Sequence, residues 1–154
     1  MDNAGLKKAF GNALRREGFT RKGGDWYIRG DDTIVVINLQ PNDFRSAWYV
    51  NVGVWIRTLG DELWPKSHKC QVQIRVPRLW PLRMDEIDAL FDLECGSGSD
   101  DERAAALSGF VTQDLAPACR AFLERKSLVD AIKGDEHFWV MLTAYAWLGL
   151  EPPG

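Results

Sequence analysis

The residues best suited to catalysis or metal binding are few and scattered in this sequence. The chain has two histidines, His68 and His137, and three cysteines, Cys70, Cys95 and Cys119. No two of them have the spacing of a metal-binding pair, and a zinc site needs about four such ligands in a tetrahedron. We therefore predict no metal site, and we expect the cysteines to behave as small buried hydrophobic residues.

The sequence patterns of nucleophilic catalysis and of phosphate-binding loops are also missing. The chain contains no G-x-S-x-G elbow, no G-x-x-x-x-G-K-[ST] loop and no G-x-G-x-x-G turn. His68 lies two residues before Cys70, and on a strand this spacing puts both side chains on one face. An enzyme of unrecognised type that uses His68 with a nearby Cys or Arg therefore stays open as a hypothesis, and no cofactor is predicted.

A stronger candidate site comes from the alternation of side chains along three predicted strands. In the strand that starts at Trp48, every second residue as far as Ile56 is apolar, which indicates the side that faces the core. The opposite sides of the strands carry amides, aromatic rings and an arginine: Asn38, Gln40, Tyr49, Asn51, Trp55, Gln73 and Arg75. Binding surfaces favour these residue types, so the face is a predicted ligand-binding site. The alternative is that it is the ordinary wet face of an antiparallel sheet.

Acidic residues are concentrated in the segment that follows the predicted sheet. Residues 85 to 102 contain no Lys or Arg and eight acids: Asp85, Glu86, Asp88, Asp92, Glu94, Asp100, Asp101 and Glu102. Most of them flank apolar residues at helical spacing, which is typical of a solvated helix face. The alternative is an acidic surface, with Asp85, Glu86, Asp88 and Asp92 as partner-binding residues, that docks a basic protein, because complementary charge speeds and orients association.

One helix, four strands and a set of later helices are predicted to position these residues. The first helix is indicated by Leu6, Phe10, Ala13 and Leu14 at helical spacing, and a turn follows at 21–24. The predicted strands are 25–29, 33–40, 48–57 and 70–76. Four later helices are predicted: one over 84–93, one that starts at a capping box at Ser99, one over 128–133 and one over 136–148. Residues 96–98 are predicted to connect the first two of them. Short successive strands pair antiparallel, and strands followed by helices indicate an α+β fold whose C-terminal helices pack on one face of a four-stranded sheet.

Length and composition set the class of protein. A chain of 154 residues fits one domain, 1–154, and a net charge of -3 gives no reason to expect nucleic acid as a partner. The longest mostly apolar stretch, 138–150, is shorter than the roughly 20 residues of a membrane span. Three cysteines without motif spacing indicate a reducing compartment, so we expect a cytoplasmic protein without membrane contact.

Several motifs occur in an order that resembles a known family. They are Glu17–Gly23 at the end of the first helix, Val36–Gln40 and Tyr49–Val54 on two strands, His68–Val76, and Trp80-Pro81-Leu82. Together, over about residues 5 to 125, they resemble the bacterial family catalogued as domain of unknown function 4304. The resemblance implies a single α+β domain and supplies no catalytic residues.

Three functions stay open. The preferred hypothesis is a non-catalytic binding module for another protein, of the type of a cytosolic immunity protein that inhibits a basic partner. The second is a small-molecule binding domain that uses the polar side of the sheet. The third is the enzyme of unrecognised type.

Overall fold

The computed structural model describes residues 1–44, 46–95 and 98–154, so most of the connector predicted at 96–98 lies outside the described residues. In chain order the elements are α1 (Asn3–Arg16), β1 (Thr20–Lys22), β2 (Asp25–Arg29), β3 (Thr33–Pro41), β4 (Trp48–Ile56), β5 (Val72–Arg75), α2 (Met84–Leu90), α3 (Asp100–Phe110), α4 (Ala116–Ala121), α5 (Arg125–Gly134), β6 (Trp139–Val140) and α6 (Tyr145–Leu148). Short 3₁₀ turns at Ser67–Lys69 and Val76–Leu79 flank β5.

The strands form one antiparallel sheet in which each strand pairs with its neighbour in sequence, from β1 at one edge to β6 at the other. The register aligns apolar residues across the sheet, for example Ile37 with Val52 and Val52 with Ile74. The predicted α+β class and antiparallel pairing are therefore confirmed. The predicted strand number was wrong, because the described residues contribute six strands instead of four.

Strand β1 was missed because its side chains show no apolar alternation. Thr20, Arg21 and Lys22 are all exposed, and this stretch was assigned in part to a turn. Lys22 pairs with Asp25, which leaves Gly23 and Gly24 as a two-residue hairpin loop. Gly23 has a φ of 62°, and such loops favour glycine because they need positive φ.

Strand β6 lies where a helix over 136–148 was predicted. Trp139 pairs with Gln73 and Val140 pairs with Val72, and only Tyr145–Leu148 is α-helical. The edge of β5 offers unpaired backbone groups, and Met141 N donates to Gln71 O at 2.8 Å. A run of apolar residues is compatible with either a helix or a strand. Trp139 and Val140 form a strand because β5 offers them backbone hydrogen-bonding partners.

The helices cover one face of the sheet and bury the main core there. On α1, Leu6, Phe10, Ala13 and Leu14 are buried, and Phe10 packs edge-on against Trp26 at a centroid distance of 5.5 Å. Burial of each large apolar side chain contributes about 1.5–3 kcal/mol. A π-helical segment, Val111–Leu115, joins α3 to α4, and Pro117 lies in the first turn of α4.

The opposite face of the sheet is divided into an apolar half and a polar half. Residues 57–70 fold back over the apolar half and cover a small cluster: Tyr27, Ile34, Val36, Trp55 and Cys70, with Trp64 beside it. The polar half stays open. In the described ranges, the structure contains no helix long and apolar enough to pass through a membrane.

Candidate functional site

The open half of this face, here called the polar sheet face, carries six of the seven predicted ligand-binding residues. The register of β3, β4 and β5 aligns Asn38 with Asn51 and Asn51 with Arg75. Gln40 pairs with Tyr49 and Gln73 pairs with Gly53, so all six side chains share one side of the sheet. The alternation in the sequence thus brings these residues together.

Trp55 was predicted to belong to this surface, and the structure places it elsewhere. Its side chain lies on the expected side of the sheet, but it is only 8% exposed, because residues 57–70 cover it. Trp55 aligns with Ile34 inside the apolar cluster, and its indole Nε1 has no hydrogen-bond partner among the described residues. Trp55 is therefore unable to contact a ligand on the polar sheet face.

A chain of hydrogen bonds orders the amides of the polar sheet face. Asn51 Nδ2 donates to Gln40 Oε1 at 3.1 Å and to Asn38 Oδ1 at 3.3 Å. Asn38 Nδ2 in turn donates to Asp25 Oδ1 at 2.8 Å, and Lys66 Nζ lies 3.4 Å from Asp25 Oδ2. Asp25 is buried and fixes one end of this chain, so the amides have defined orientations before any ligand arrives.

A groove of about 340 Å³ lies beside the amides, where the sheet meets the turns on either side of β5. Gln40, Asn51, Gln73 and Arg75 come from the sheet. The remaining polar or aromatic lining residues are Ser67 and His68 from one turn, Arg78 from the other, and His137 and Trp139 from the segment around β6. The volume falls in the range of small-molecule sites, toward its lower end. We call this cavity the sheet groove.

Two arginines and two histidines line the sheet groove. They are Arg75, Arg78 and both histidines of the chain, and the described lining contains no carboxylate. Neither arginine forms an ion pair within the described ranges of the chain. The guanidinium of Arg75 stacks on the ring of Tyr49, 4.0 Å from its centroid, which holds it at the groove edge.

His137 is oriented by a neighbouring carboxylate. Its Nδ1 lies 2.9 Å from Asp135 Oδ1, and the same oxygen accepts a hydrogen bond from the backbone N–H of His137. With Nδ1 engaged by Asp135, Nε2 is the ring nitrogen left to meet a ligand.

Cys70 does not share the sheet groove with His68. Its thiol points into the apolar cluster, donates to Lys66 O at 3.4 Å and is fully buried. Burial, with a smaller effect of the Asp25 carboxylate, raises the pKa of Cys70 to about 12. The thiol is therefore protonated at neutral pH and is a poor nucleophile. The enzyme hypothesis paired His68 with a nearby Cys or Arg, and of these two residue types only arginine lines the sheet groove together with His68.

The predicted acidic surface is distributed over several environments. Asp85, Glu86 and Asp88 are exposed on α2, whereas Asp92 is partly buried and its Oδ1 accepts from Glu94 N at 2.9 Å. Glu86 is paired with Arg83 at 3.2 Å, so part of the negative charge is neutralised within the chain. Burial, and then Asp85, raise the pKa of Asp88, while Arg75 lowers it.

Several residues of this region were not identified from the sequence. Asp25 comes from β2, directly before β3, whereas Lys66, Arg78, His137 and Trp139 come from segments that follow β4. Trp139 enters only because β6 pairs with β5, and that pairing depends on tertiary structure. Asp25 had a local signal, since a charged residue at the start of a strand rich in aromatics needs a partner when the strand is buried. Nowhere in the described ranges do three or more His, Cys, Asp or Glu residues cluster as a metal site would require.

The fold and the groove define a class: an α+β protein whose antiparallel sheet is covered by helices on one face and carries a cationic, amide-lined groove on the other. The chain belongs to the family described as Domain of unknown function (DUF4304), whose model matches residues 10–121. The matched residues include the second half of α1, all of α2, α3 and α4, and strands β1 to β5. Neither the curated proteins nor the solved structures gave a match.

Proposed function

We propose that this protein is a non-catalytic binding domain that holds a small anionic ligand, with a phosphate or carboxylate group, in the sheet groove. The observation that carries the proposal is the convergence of Arg75, Arg78, His68 and His137 on one groove whose described lining has no carboxylate. Guanidinium groups form bidentate, charge-assisted hydrogen bonds with both kinds of oxyanion.

The amides next to the arginines support recognition of a ligand rather than mere attraction of an ion. Gln40, Asn51 and Gln73 line the groove, and the first two are held by hydrogen bonds within the sheet. Trp139, 51% exposed, adds an aromatic surface at the far wall. A ligand with an anionic group at the arginines and hydrogen-bonding groups toward the amides fits this arrangement.

Docking of a basic protein by the acidic residues of α2, as an immunity-type inhibitor would require, stays a prediction. Asp85 is exposed and unpaired among the described residues, but Glu86 and Asp88 lie close to Arg83 and Arg75 respectively. Arg75 lies near Asp88 and His137 contacts Asp135, but neither arginine of the sheet groove forms an ion pair within the described ranges, whereas Glu86 on α2 is paired with Arg83. We therefore rank ligand binding in the sheet groove first.

Calorimetry and thermal shifts with inorganic phosphate, AMP and succinate test the proposal. We expect at least one of these anions to raise the melting temperature and Arg78→Gln to weaken its binding about tenfold or more, the effect of one charge-assisted hydrogen bond. Lys69→Gln is the matched control, because Lys69 is exposed next to His68 but does not line the groove.

The three probes separate the possible ligand classes. Binding of succinate alone would indicate a carboxylate, and tighter binding of AMP than of phosphate would show that Trp139 or the amides contact the rest of the ligand. If no anion binds, or if Arg78→Gln and Lys69→Gln bind as the unmodified protein does, the proposal is wrong.

A further inference from the structure

A second cationic groove lies between α1 and the β1 edge of the sheet, on the helix-covered side. It has a volume of about 360 Å³ and is lined by Lys7, Lys8 and Arg15 of α1 and by Arg21 of β1. All four side chains are exposed. We call this cavity the α1 groove, and it shares no lining residue with the sheet groove.

The positive charge of the α1 groove is not compensated by the chain itself. No carboxylate is found among its described lining residues. None of the four cations forms an ion pair with any residue that the structure describes. Because the protein as a whole carries a net charge of -3, this concentration is a local feature. Four like charges in one groove repel one another, and a bound anion relieves that repulsion.

A glycine in the middle of α1 lines the groove. A Cβ atom at Gly11 would lie 3.2 Å from the indole of Trp26, tighter than most such contacts, so the missing side chain favours the close approach of the helix to this ring. A helix-interior glycine costs about 1 kcal/mol relative to alanine. Gly11 and the four cations thus line the same groove, and at Gly11 no side chain fills it.

Of the two aromatic rings beneath the cations, the ring of Trp26 is covered, and the half-buried ring of Trp48 does not line the groove. Lys7 Nζ lies 4.6 Å from the centroid of the Trp48 ring, and the guanidinium of Arg21 lies 5.8 Å from that of Trp26. Trp26 is only 3% exposed. The groove thus lacks the exposed apolar centre of a protein–protein interface and the free ring on which a base would stack. What it offers a ligand is charge and hydrogen-bond donors.

We propose that the α1 groove binds a linear chain of phosphate groups through its phosphates alone. The backbone positions of Lys8 and Arg15 are separated by about 10 Å along the helix, at 1.5 Å per residue, which suits a ligand with several phosphates better than a single phosphate. A phosphate chain places successive negative charges along such a groove and is recognised without contacts to bases.

The experiment measures the salt dependence of binding for two labelled probes, inorganic polyphosphate and single-stranded oligo-dT. Four phosphate contacts give a slope of about -3 for log K against log salt, or about 50-fold weaker binding for a fourfold rise in salt. We expect Arg15→Gln to reduce the magnitude of this slope by roughly 0.7. Arg16→Gln is the matched control, because Arg16 is the next residue of α1 but donates to Ser108 Oγ at 3.1 Å instead of lining the groove.

Each outcome decides the proposal. Binding of either probe with a smaller slope only in Arg15→Gln supports it, and the probe that binds distinguishes free polyphosphate from a nucleic-acid backbone. Absence of binding by both probes, equal loss in Arg15→Gln and Arg16→Gln, or equally tight binding of polyglutamate would overturn it. Because the sheet groove is itself proposed to bind an anion, the measurements are repeated in the Arg78→Gln background, where the difference between Arg15→Gln and Arg16→Gln is expected to persist.

Discussion

At the scale of single residues, burial decides which side chains take part in chemistry. Cys70 and Cys119 are fully buried, while Cys95 is exposed. Burial raises the pKa of both buried thiols to about 12, so neither supplies a thiolate at neutral pH. The sequence places His68 and Cys70 side by side, but the structure turns one toward solvent and the other into the apolar cluster.

Thiol titration of the native protein at pH 8 is therefore expected to detect one reactive cysteine, Cys95, and all three after denaturation. Cys95→Ser should remove the native signal. Rapid labelling of Cys70 in folded Cys95→Ser would show that the thiol is accessible and would reopen the cysteine version of the enzyme hypothesis.

The same pKa shifts predict a loss of stability in alkali. Folding raises the pKa of these thiols above the ordinary value of 9.0, and that of Tyr27 from 10.0 to about 12, mainly through burial. The unfolded chain therefore loses these protons first, and the folded state is progressively destabilised as the pH rises from about 9 toward 12.

At the scale of elements, the turn Ser67–Lys69 depends on a glycine in the sheet below it. A Cβ atom at Gly53 would lie 2.7 Å from Cys70 Sγ and 2.9 Å from Ser67 O, closer than such atoms approach. The turn packs directly on β4 only because position 53 has no side chain. Since Ser67 and His68 line the sheet groove, this contact also shapes the site.

Gly53→Ala is expected to lower the free energy of unfolding by about 1–3 kcal/mol, because the turn must move off the sheet. Gly109→Ala provides the control: that glycine lies in α3, where a Cβ atom would meet no other atom within 4 Å, and alanine there should be neutral or stabilise by up to about 1 kcal/mol. Urea denaturation measures both. A Gly53→Ala protein as stable as the unmodified one would contradict the packing described here.

At the scale of the whole molecule, positive charge is concentrated in two grooves and exposed acids are concentrated on α2 and α3, and the two meet where Asp88 lies beside Arg75 and Arg78. The α1 groove and the sheet groove carry cations on opposite sides of the sheet, while exposed acids are found on α2 and at the start of α3. Segregation of this kind orients charged partners before contact. The molecule therefore offers cationic grooves to an anionic ligand and exposed acidic residues to a basic partner.

Charge reversal tests the acidic surface at this scale. If the surface docks a basic protein, Asp85→Lys should weaken low-salt binding of a decalysine peptide several-fold. Asp31→Lys, an exposed acid in the β2–β3 turn outside the acidic segment, changes the net charge equally and should have a smaller effect. Equal effects of the two variants would show that only net charge matters and would remove the reason to propose a docking surface on α2.

The sequence by itself determined the class of the fold and the composition of the polar sheet face. Alternation along β3, β4 and β5 assigned each side chain to a face, because successive residues of a strand point in opposite directions. Helical spacing likewise identified the buried side of α1, where Leu6 and Phe10 are fully buried. These features follow from local geometry, so they are readable without knowing what packs where.

Only the tertiary structure decided what covers each half of that face and which distant residues complete the groove. Residues 57–70 fold over Trp55 and remove it from the surface, and β6 brings His137 and Trp139 to Arg75 and Arg78. Both depend on contacts between segments far apart in the chain, chiefly the close approach at Gly53 and the unpaired edge of β5. The local sequence pattern of one segment does not predict such contacts, because the free energy that favours a contact depends on the distant segment against which it packs.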